Sequence, residues 1–229
     1  MLFRSPGSSK DTANHKHGGL ITVDPVTGAL TPWQPENTRP VFDLASYQGD
    51  PRSQGINAST LVFAASGGGG GRVVAWVPGG SKDTPLWRGN MDGDAMSVAV
   101  TQDRVYVVGH FDHTVADPND PCLEIDPATG GVHCDDGTSN RHLAAFDVRG
   151  EIDSKGKNTG KSLIDPDFKA QADTSEGPYK VYLGANRMYV GGNFTDVSNF
   201  PLSKGCTDPV TANCVQDRQP GFAVYPPKV

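Results

Sequence analysis

Short apolar runs alternate with clusters of glycine, proline and aspartate along the whole chain. Leu20-Ile-Thr-Val-Asp24 passes through Pro-Val-Thr-Gly28 into Ala29-Leu-Thr-Pro-Trp33, which predicts a hairpin around a glycine-containing turn. Val41 to Ala45, Leu61 to Ala65, Arg72 to Val77 and Pro85 to Trp87 follow as four predicted strands. Ala95 to Val100, Val105 to Val108, Leu143 to Val148 and Leu163 to Phe168 make a second set of four. Tyr179 to Leu183, Met188 to Val190 and Phe222 to Tyr225 begin a third. These runs are short, rich in β-branched and aromatic residues, and bounded by turn formers, and no segment carries a helical apolar stripe. The pattern predicts an all-β chain.

One phrase occurs twice, 83 positions apart: Arg104-Val-Tyr-Val-Val-Gly-His-Phe-Asp112 and Arg187-Met-Tyr-Val-Gly-Gly-Asn-Phe-Thr195. Each is a strand running into glycine and then phenylalanine, and each is followed by a polar insert and a further short strand, Leu143 to Asp147 or Phe222 to Tyr225. Repetition of a strand module signals a repeat architecture, and four strands per cycle is the unit of a β-propeller blade. The expected organisation is one propeller-type domain over residues 1–229. It comprises a partial blade at 1–40, a blade at 41–90, a blade with an insert at 91–170 and a partial blade with an insert at 171–229. Two complete blades fall short of the four to eight that close a ring, so the expectation is a partial propeller or one completed by additional chain. Self-association or pairing with further blades is therefore expected, because an uncovered strand edge invites aggregation.

Met188-Tyr-Val-Gly-Gly-Asn-Phe-Thr-Asp196, with Ala144-Ala-Phe-Asp147, Asp24-Pro-Val-Thr-Gly28 and Trp33, resembles the delta-60 type of bacterial repeat. The pattern is also similar to kelch repeats, in which a strand ends in Gly-Gly and a later tryptophan closes the blade. Two departures stand out: His110 takes the place of Asn193, and the first cycle has Ala-Ala-Ser-Gly67 where Gly-Gly belongs. The resemblance implies a secreted or surface-displayed propeller and assigns no activity.

Glycine (28) and proline (18) together make about a fifth of the chain, in keeping with many turns between short strands. A net charge of −6 argues against a nucleic-acid partner, and no apolar run is long enough to span a bilayer as a helix. Met1-Leu-Phe-Arg-Ser-Pro lacks the apolar stretch of an export signal, and a segment of a longer protein is the favoured reading. The four cysteines nevertheless point outside the cell. Cys122 and Cys134 bracket one Asp-Pro-x-Thr turn, and Cys206 and Cys214 bracket another, each pair symmetrically. Residues equidistant from a hairpin turn face each other across its arms, which favours disulfides 122–134 and 206–214 and hence an extracellular or cell-surface location. A zinc site is the rival reading and lacks the Cys-x2-Cys spacing.

Candidate chemistry lies in the loops. His110 and His113 form a His-x-x-His pair beside a strand end, with His133 or His142 as a third ligand, against the plainer reading of a tolerant turn. Asp92, Asp94, Asp117 and Asp120 sit in acidic turns whose carboxylates suit calcium, although aspartate is also simply what tight turns use. Calcium is thus the one candidate cofactor. Trp33, Trp76 and Trp87 would pack between blades or, if exposed, stack on a sugar ring. Asn57 and Asn193 fit the N-glycosylation pattern, which carries no meaning in a bacterial chain such as the repeat resemblance implies. No Gly-x-Ser-x-Gly elbow or phosphate-cradling loop is present, and Asp165, Asp167, Asp147 and Glu124 offer carboxylates without a recognisable pair. The expected function is a non-enzymatic module binding a protein or glycan through its long loops. The alternatives are a structural segment of a larger surface assembly and a carbohydrate-active enzyme with acidic residues at the propeller mouth.

Overall fold

The computed structural model describes residues 19–33, 35, 39–49, 59–68, 70–79, 84–115, 124–125, 132–133, 138–139, 141–168, 170–173, 176–185, 187–198, 216–218 and 221–225. Among them there is no helix, and every paired strand runs antiparallel to its neighbours. The chain is all-β, and among the described residues no sheet is closed.

The first unit, sheet I, contains β1 (Val41–Tyr47), β2 (Leu61–Ser66), β3 (Gly71–Trp76) and β4 (Trp87–Met91) in that order. The second, sheet II, contains β5 (Asp94–Val100), β6 (Arg104–His110) and, after the insert, β11 (Leu143–Asp147). The insert itself holds β7 (His113–Val115), β8 (Glu124–Ile125), β9 (Val132–His133) and β10 (Thr138–Ser139). Past sheet II comes β12 (Gln171–Ala172), and then sheet III with β13 (Gly177–Leu183), β14 (Met188–Asn193) and β17 (Phe222–Tyr225). The second insert carries β15 (Asp196–Ser198) and β16 (Gln216–Arg218).

Most sequence expectations hold for the strands, and two of them shift. The fourth strand of sheet I lies at Trp87–Met91, past the Pro85-Leu-Trp87 expected for it, because proline cannot donate to the ladder and the pairing begins where Trp87 meets Ala75. The expected strand at Leu163 to Phe168 reduces to a single bridge between Ile164 and Phe146, since Pro166 interrupts it. Segment 20–33 forms the expected hairpin as a Val23–Leu30 bridge, with the Asp24 carboxylate accepting the Val26 and Thr27 amides across the turn.

Both inserts do the same thing on leaving their sheet. After β6, β7 crosses to pair with β4 of sheet I, and β10 adds on outside it. After β14, β15 crosses to pair with β12, and β16 adds on outside it. Each insert thus ties its own sheet to the outer strand that precedes it in the chain.

Alternation along the strands decides the packing. In β6, Val105 and Val107 point towards sheet I and join Leu61, Phe63, Val73, Trp87 and Phe146 in one core. Tyr106 and Val108 point the other way and join Val181, Val190 and Ala223 of sheet III in a second core. Sheet II is buried on both faces, so its strands read as continuous apolar runs. A third, smaller cluster sets Leu20 and Trp33 of the hairpin against Ala64, Val74 and Trp76 on the far side of sheet I. The order of layers is therefore hairpin, sheet I, sheet II, sheet III.

Candidate functional site

The first strands of the three sheets carry the same irregularity. β1 is bulged between Val41 and Asp43, β5 between Ala95 and Ser97, and β13 between Pro178 and Lys180. A bulge inserts one unpaired residue and re-aims the side chains around it. Register makes Asp43, Ser97 and Lys180 equivalent, each being the first residue paired after its bulge. These three side chains meet. The Ser97 hydroxyl donates to Asp43 Oδ2 at 2.5 Å, the Val98 amide at 3.1 Å and the Lys180 ammonium at 2.7 Å. The Ser97 oxygen in turn accepts the Val181 amide at 3.2 Å. A side-chain oxygen at the post-bulge position of one sheet thus receives the following amide of the next sheet, twice in succession. Burial alone would raise the Asp43 carboxyl, but the hydrogen bonds from Lys180, Ser97 and Val98 outweigh it and hold the group below the usual carboxylate range.

The twice-repeated phrase has a second shared device just beyond its glycine. Phe111 and Phe194 are buried, each turning the chain out of its strand into the insert. An aspartate from the preceding strand end then accepts two amides of that turn. Asp92 Oδ1 takes those of Asp112 and His113 at 2.8 and 3.0 Å, and Asp173 Oδ1 takes those of Thr195 and Asp196, both at 2.9 Å. Asp92 also meets His113 Nδ1 at 2.8 Å through its other oxygen. For Asp173, burial works against the charge, and the Thr195 hydroxyl with the two amides more than offsets it, leaving the pKa lowered.

Glycine at positions 109 and 192 follows from the bulges. A Cβ on Gly109 would collide with the Asp94 carbonyl, and one on Gly192 with the Cα of Pro178. Backbone passes so close to backbone at these points that no side chain fits.

Around this end of the sheets gathers a polar rim at the root of both inserts. Glu176 Oε2 accepts the Tyr179 hydroxyl at 2.7 Å and the Asn193 side-chain amide at 3.0 Å; both bonds keep its carboxyl low, and the first raises the Tyr179 phenol. His110 is exposed and stacks on His142 with ring centroids 6.5 Å apart. His142 is buried, with Nδ1 3.1 Å from the Gly109 carbonyl, and burial lowers its pKa, which favours the neutral ring. It is also the only non-glycine with positive φ (67°) among the described residues. Register explains the oddity. The Gly109 amide donates to the His142 carbonyl and the His142 amide to Phe111, just as Gly192 and Phe194 do with Gly221, which has φ 75°. Where one repeat uses glycine for a left-handed turn, the other places an imidazole there.

The candidates read from sequence are distributed across separate tasks. His110 and His113 do not converge: one stacks on His142, and the other pairs with Asp92. Asp94 accepts the Gly68 amide at 2.8 Å, joining sheet II to the glycine turn of sheet I. Among the described residues no group of three or more His, Cys, Asp or Glu is placed to hold a metal. Asp117, Asp120 and all four cysteines, with the disulfides proposed between them, lie outside the described residues, as does the side chain of His133. The hairpin expected between Cys122 and Cys134 is there as β8 and β9. Glu124 pairs with His133, one residue away from the symmetric register that would set it opposite Val132.

Trp76 and Trp87 are fully buried, so neither ring is offered to a ligand; Trp87 Nε1 donates to the Val148 carbonyl at 3.1 Å. Trp33 is half-buried against the hairpin cluster. Of the two roles open from sequence, packing or stacking on a sugar, Trp76 and Trp87 take packing, the first under the hairpin and the second in the sheet I–sheet II core. Of the spare carboxylates, the side chain of Glu124 lies outside the described residues, and Asp147 and Asp165 are engaged. Asp147 pairs with Arg149 at 2.9 Å, Asp165 pairs with Arg104 at 2.8 Å and caps the Asp167 amide, and no two of them face each other across a cleft in the described contacts.

Asp43, Ser97, Lys180, Glu176, Tyr179 and His142 carry no distinguishing signal in the sequence as functional residues, His142 apart as a spare histidine. The bulges that make the first three equivalent leave no mark in the composition of β1, β5 and β13. Asp173 could have been found, since Asn90-Met-Asp92 and Gln171-Ala-Asp173 occupy matching places, but a two-residue difference in spacing to the next strand hides the match. No protein-family model, curated protein or solved structure matches the chain.

Proposed function

We propose that this chain is a propeller-type, non-enzymatic binding module, exported or displayed at the cell surface, which takes a protein or glycan ligand at the end of the sheets from which the two inserts leave. The propeller reading is supported by the first strands. β1, β5 and β13 lie side by side, and Lys180 of sheet III reaches Asp43 of sheet I past the sheet between them. Sheets that fan around a common axis bring their first strands together in this way.

The observation that carries the binding reading is the rim. His110, Glu176, Tyr179 and Asn193 are all exposed and come from equivalent ends of neighbouring sheets. An amide, a carboxylate, an imidazole and a half-exposed phenol ring make a set that suits the hydroxyls and the apolar face of a sugar better than an extended peptide. Residues at the base of long inserts are where repeat proteins place recognition. A structural role in a larger surface assembly is the second reading, and it rests on the apolar face of sheet III that no described residue covers.

The test is a glycan array together with pull-down from surface extracts, run on the wild type and on a Glu176→Gln/Tyr179→Ala variant. A ligand whose affinity falls at least about tenfold, the equivalent of one lost anchoring contact of roughly 1.4 kcal/mol, supports the rim as the site. Ligands that bind both forms equally would place recognition elsewhere and end this reading.

A further inference from the structure

Each sheet has a forward face, turned to the next sheet in the chain, and a back face turned to the one before. The forward face of sheet I, with Phe63 and Val73, is buried under sheet II. The forward face of sheet II includes the cross-strand row Ala99, Tyr106 and Ala145, and it is covered by sheet III. Register places Tyr182, Tyr189 and Val224 of sheet III in the same three positions. Here nothing among the described residues lies over them. Tyr182 is 65%, Phe222 55% and Val224 40% exposed, and the rings of Tyr182, Tyr189 and Phe222 touch one another in a chain with centroids 6.1–6.2 Å apart. An apolar aromatic face at positions that are core in the preceding sheet marks an interaction surface rather than an ordinary surface.

The same chain carries the complement. The back face of sheet I is only partly covered by the hairpin. Leu20 and Trp33 close over Ala64, Val74 and Trp76, while Phe42 and Leu44 on β1 stay 45% and 49% exposed. Of sheets I, II and III, only sheet I has a back face, and only sheet III a forward face, that the described residues leave open.

We propose that the occupant of the open face of sheet III is a second copy of this chain, docked through β1 of its sheet I, so that copies stack head to tail. The contact continues the order of layers already present twice within one chain. It is heterologous, because the two patches differ, and so it generates rings or open chains rather than a closed two-fold dimer. One feature makes this joint weaker than the internal ones. Where Asp43 and Ser97 each offer an oxygen to the amide of the next sheet, sheet III has Lys180, a donor already turned back to Asp43. The joint between copies therefore lacks that clasp, and it is expected to reverse on dilution.

The test uses the full chain in light scattering across a dilution series. A Tyr182→Glu/Phe222→Glu variant breaks the forward patch, and a Leu44→Glu variant breaks the back patch; all three side chains are solvent-exposed, and circular dichroism checks that the fold persists. The expected result is wild-type assembly that grows with concentration, each variant monomeric alone, and an equimolar mixture of the two forming a dimer through its one intact pair of patches. Wild-type protein that is monomeric at every concentration overturns the proposal. So does a variant that still self-assembles alone, which would reveal a two-fold or unrelated contact, and so does a mixture that stays monomeric.

Discussion

Removing Asp43 should disconnect three sheets at once. Its Oδ2 receives a hydroxyl, a backbone amide and an ammonium, and its side chain is only 17% exposed. In Asp43→Ala the Val98 amide and the Ser97 hydroxyl lose their acceptor in a half-buried site, where each unsatisfied group costs about 1–3 kcal/mol. Lys180 returns to solvent, and at 61% exposure its ion pair contributes at most about 1 kcal/mol after screening. The sum is a destabilisation of roughly 3 kcal/mol. With a urea m-value near the upper end of about 1–3 kcal/mol/M for a chain of this size, the midpoint falls by about 1 M. Urea unfolding followed by tryptophan fluorescence and far-ultraviolet dichroism reads this directly, and coincidence of the two curves checks that one transition is being measured. Ser97→Ala and the double variant complete a cycle whose coupling should be about 1–2 kcal/mol, in the range for residues sharing one network. A carboxylate with a lowered folded pKa releases its proton more readily in the folded state than in the unfolded one. Its contribution is therefore present above the ordinary carboxylate pKa of about 3.9 and is lost as pH falls through the folded value. Asp43→Asn should flatten that acid limb. A midpoint shift under about 0.2 M, additive single variants or an unchanged acid limb would refute the clasp as a stabilising unit.

Three further outcomes follow from the geometry. Gly109→Ala and Gly192→Ala should each destabilise by more than about 2 kcal/mol, whereas Gly191→Ala, whose Cβ would meet nothing nearer than 3.8 Å, should be tolerated; thermal melts of the three compare them under one condition. His142→Gly should lie within about 1 kcal/mol of the wild type, because relief of a left-handed residue offsets the lost ring. His142→Val should be worse by a further 1–2 kcal/mol or so, and equal melting temperatures for the two would contradict the assignment of strain. Asp173→Ala should expose the Thr195 and Asp196 amides to faster hydrogen exchange while leaving those of β5 and β6 protected, and uniform exchange across the chain would argue against a local cap.

Strand alternation, β-branched runs and the turn residues between them were enough to read an all-β chain from the amino-acid sequence and to place its principal strands within a few residues, as for Val41–Tyr47 and Phe222–Tyr225. Those signals are local, so they survive without knowledge of the fold. The repeated phrase also marked Phe111 and Phe194 as equivalent, and both turned out to anchor an insert. What the chain alone did not reveal is which residues meet. Asp43, Ser97 and Lys180 are 54 and 83 positions apart and share no residue type, and their equivalence exists only because three bulges shift three registers alike. The rim shows the same division. His110 was legible as a histidine beside a strand end, but its neighbours Glu176 and Tyr179 come from the next sheet. The burial of Trp76 and Trp87, too, depended on which faces came to be covered. Pattern sets the faces of a strand, because side chains alternate by geometry. Which face is covered, and by what, is decided by long-range packing, and that is where the clasp, the rim and the open face of sheet III arise.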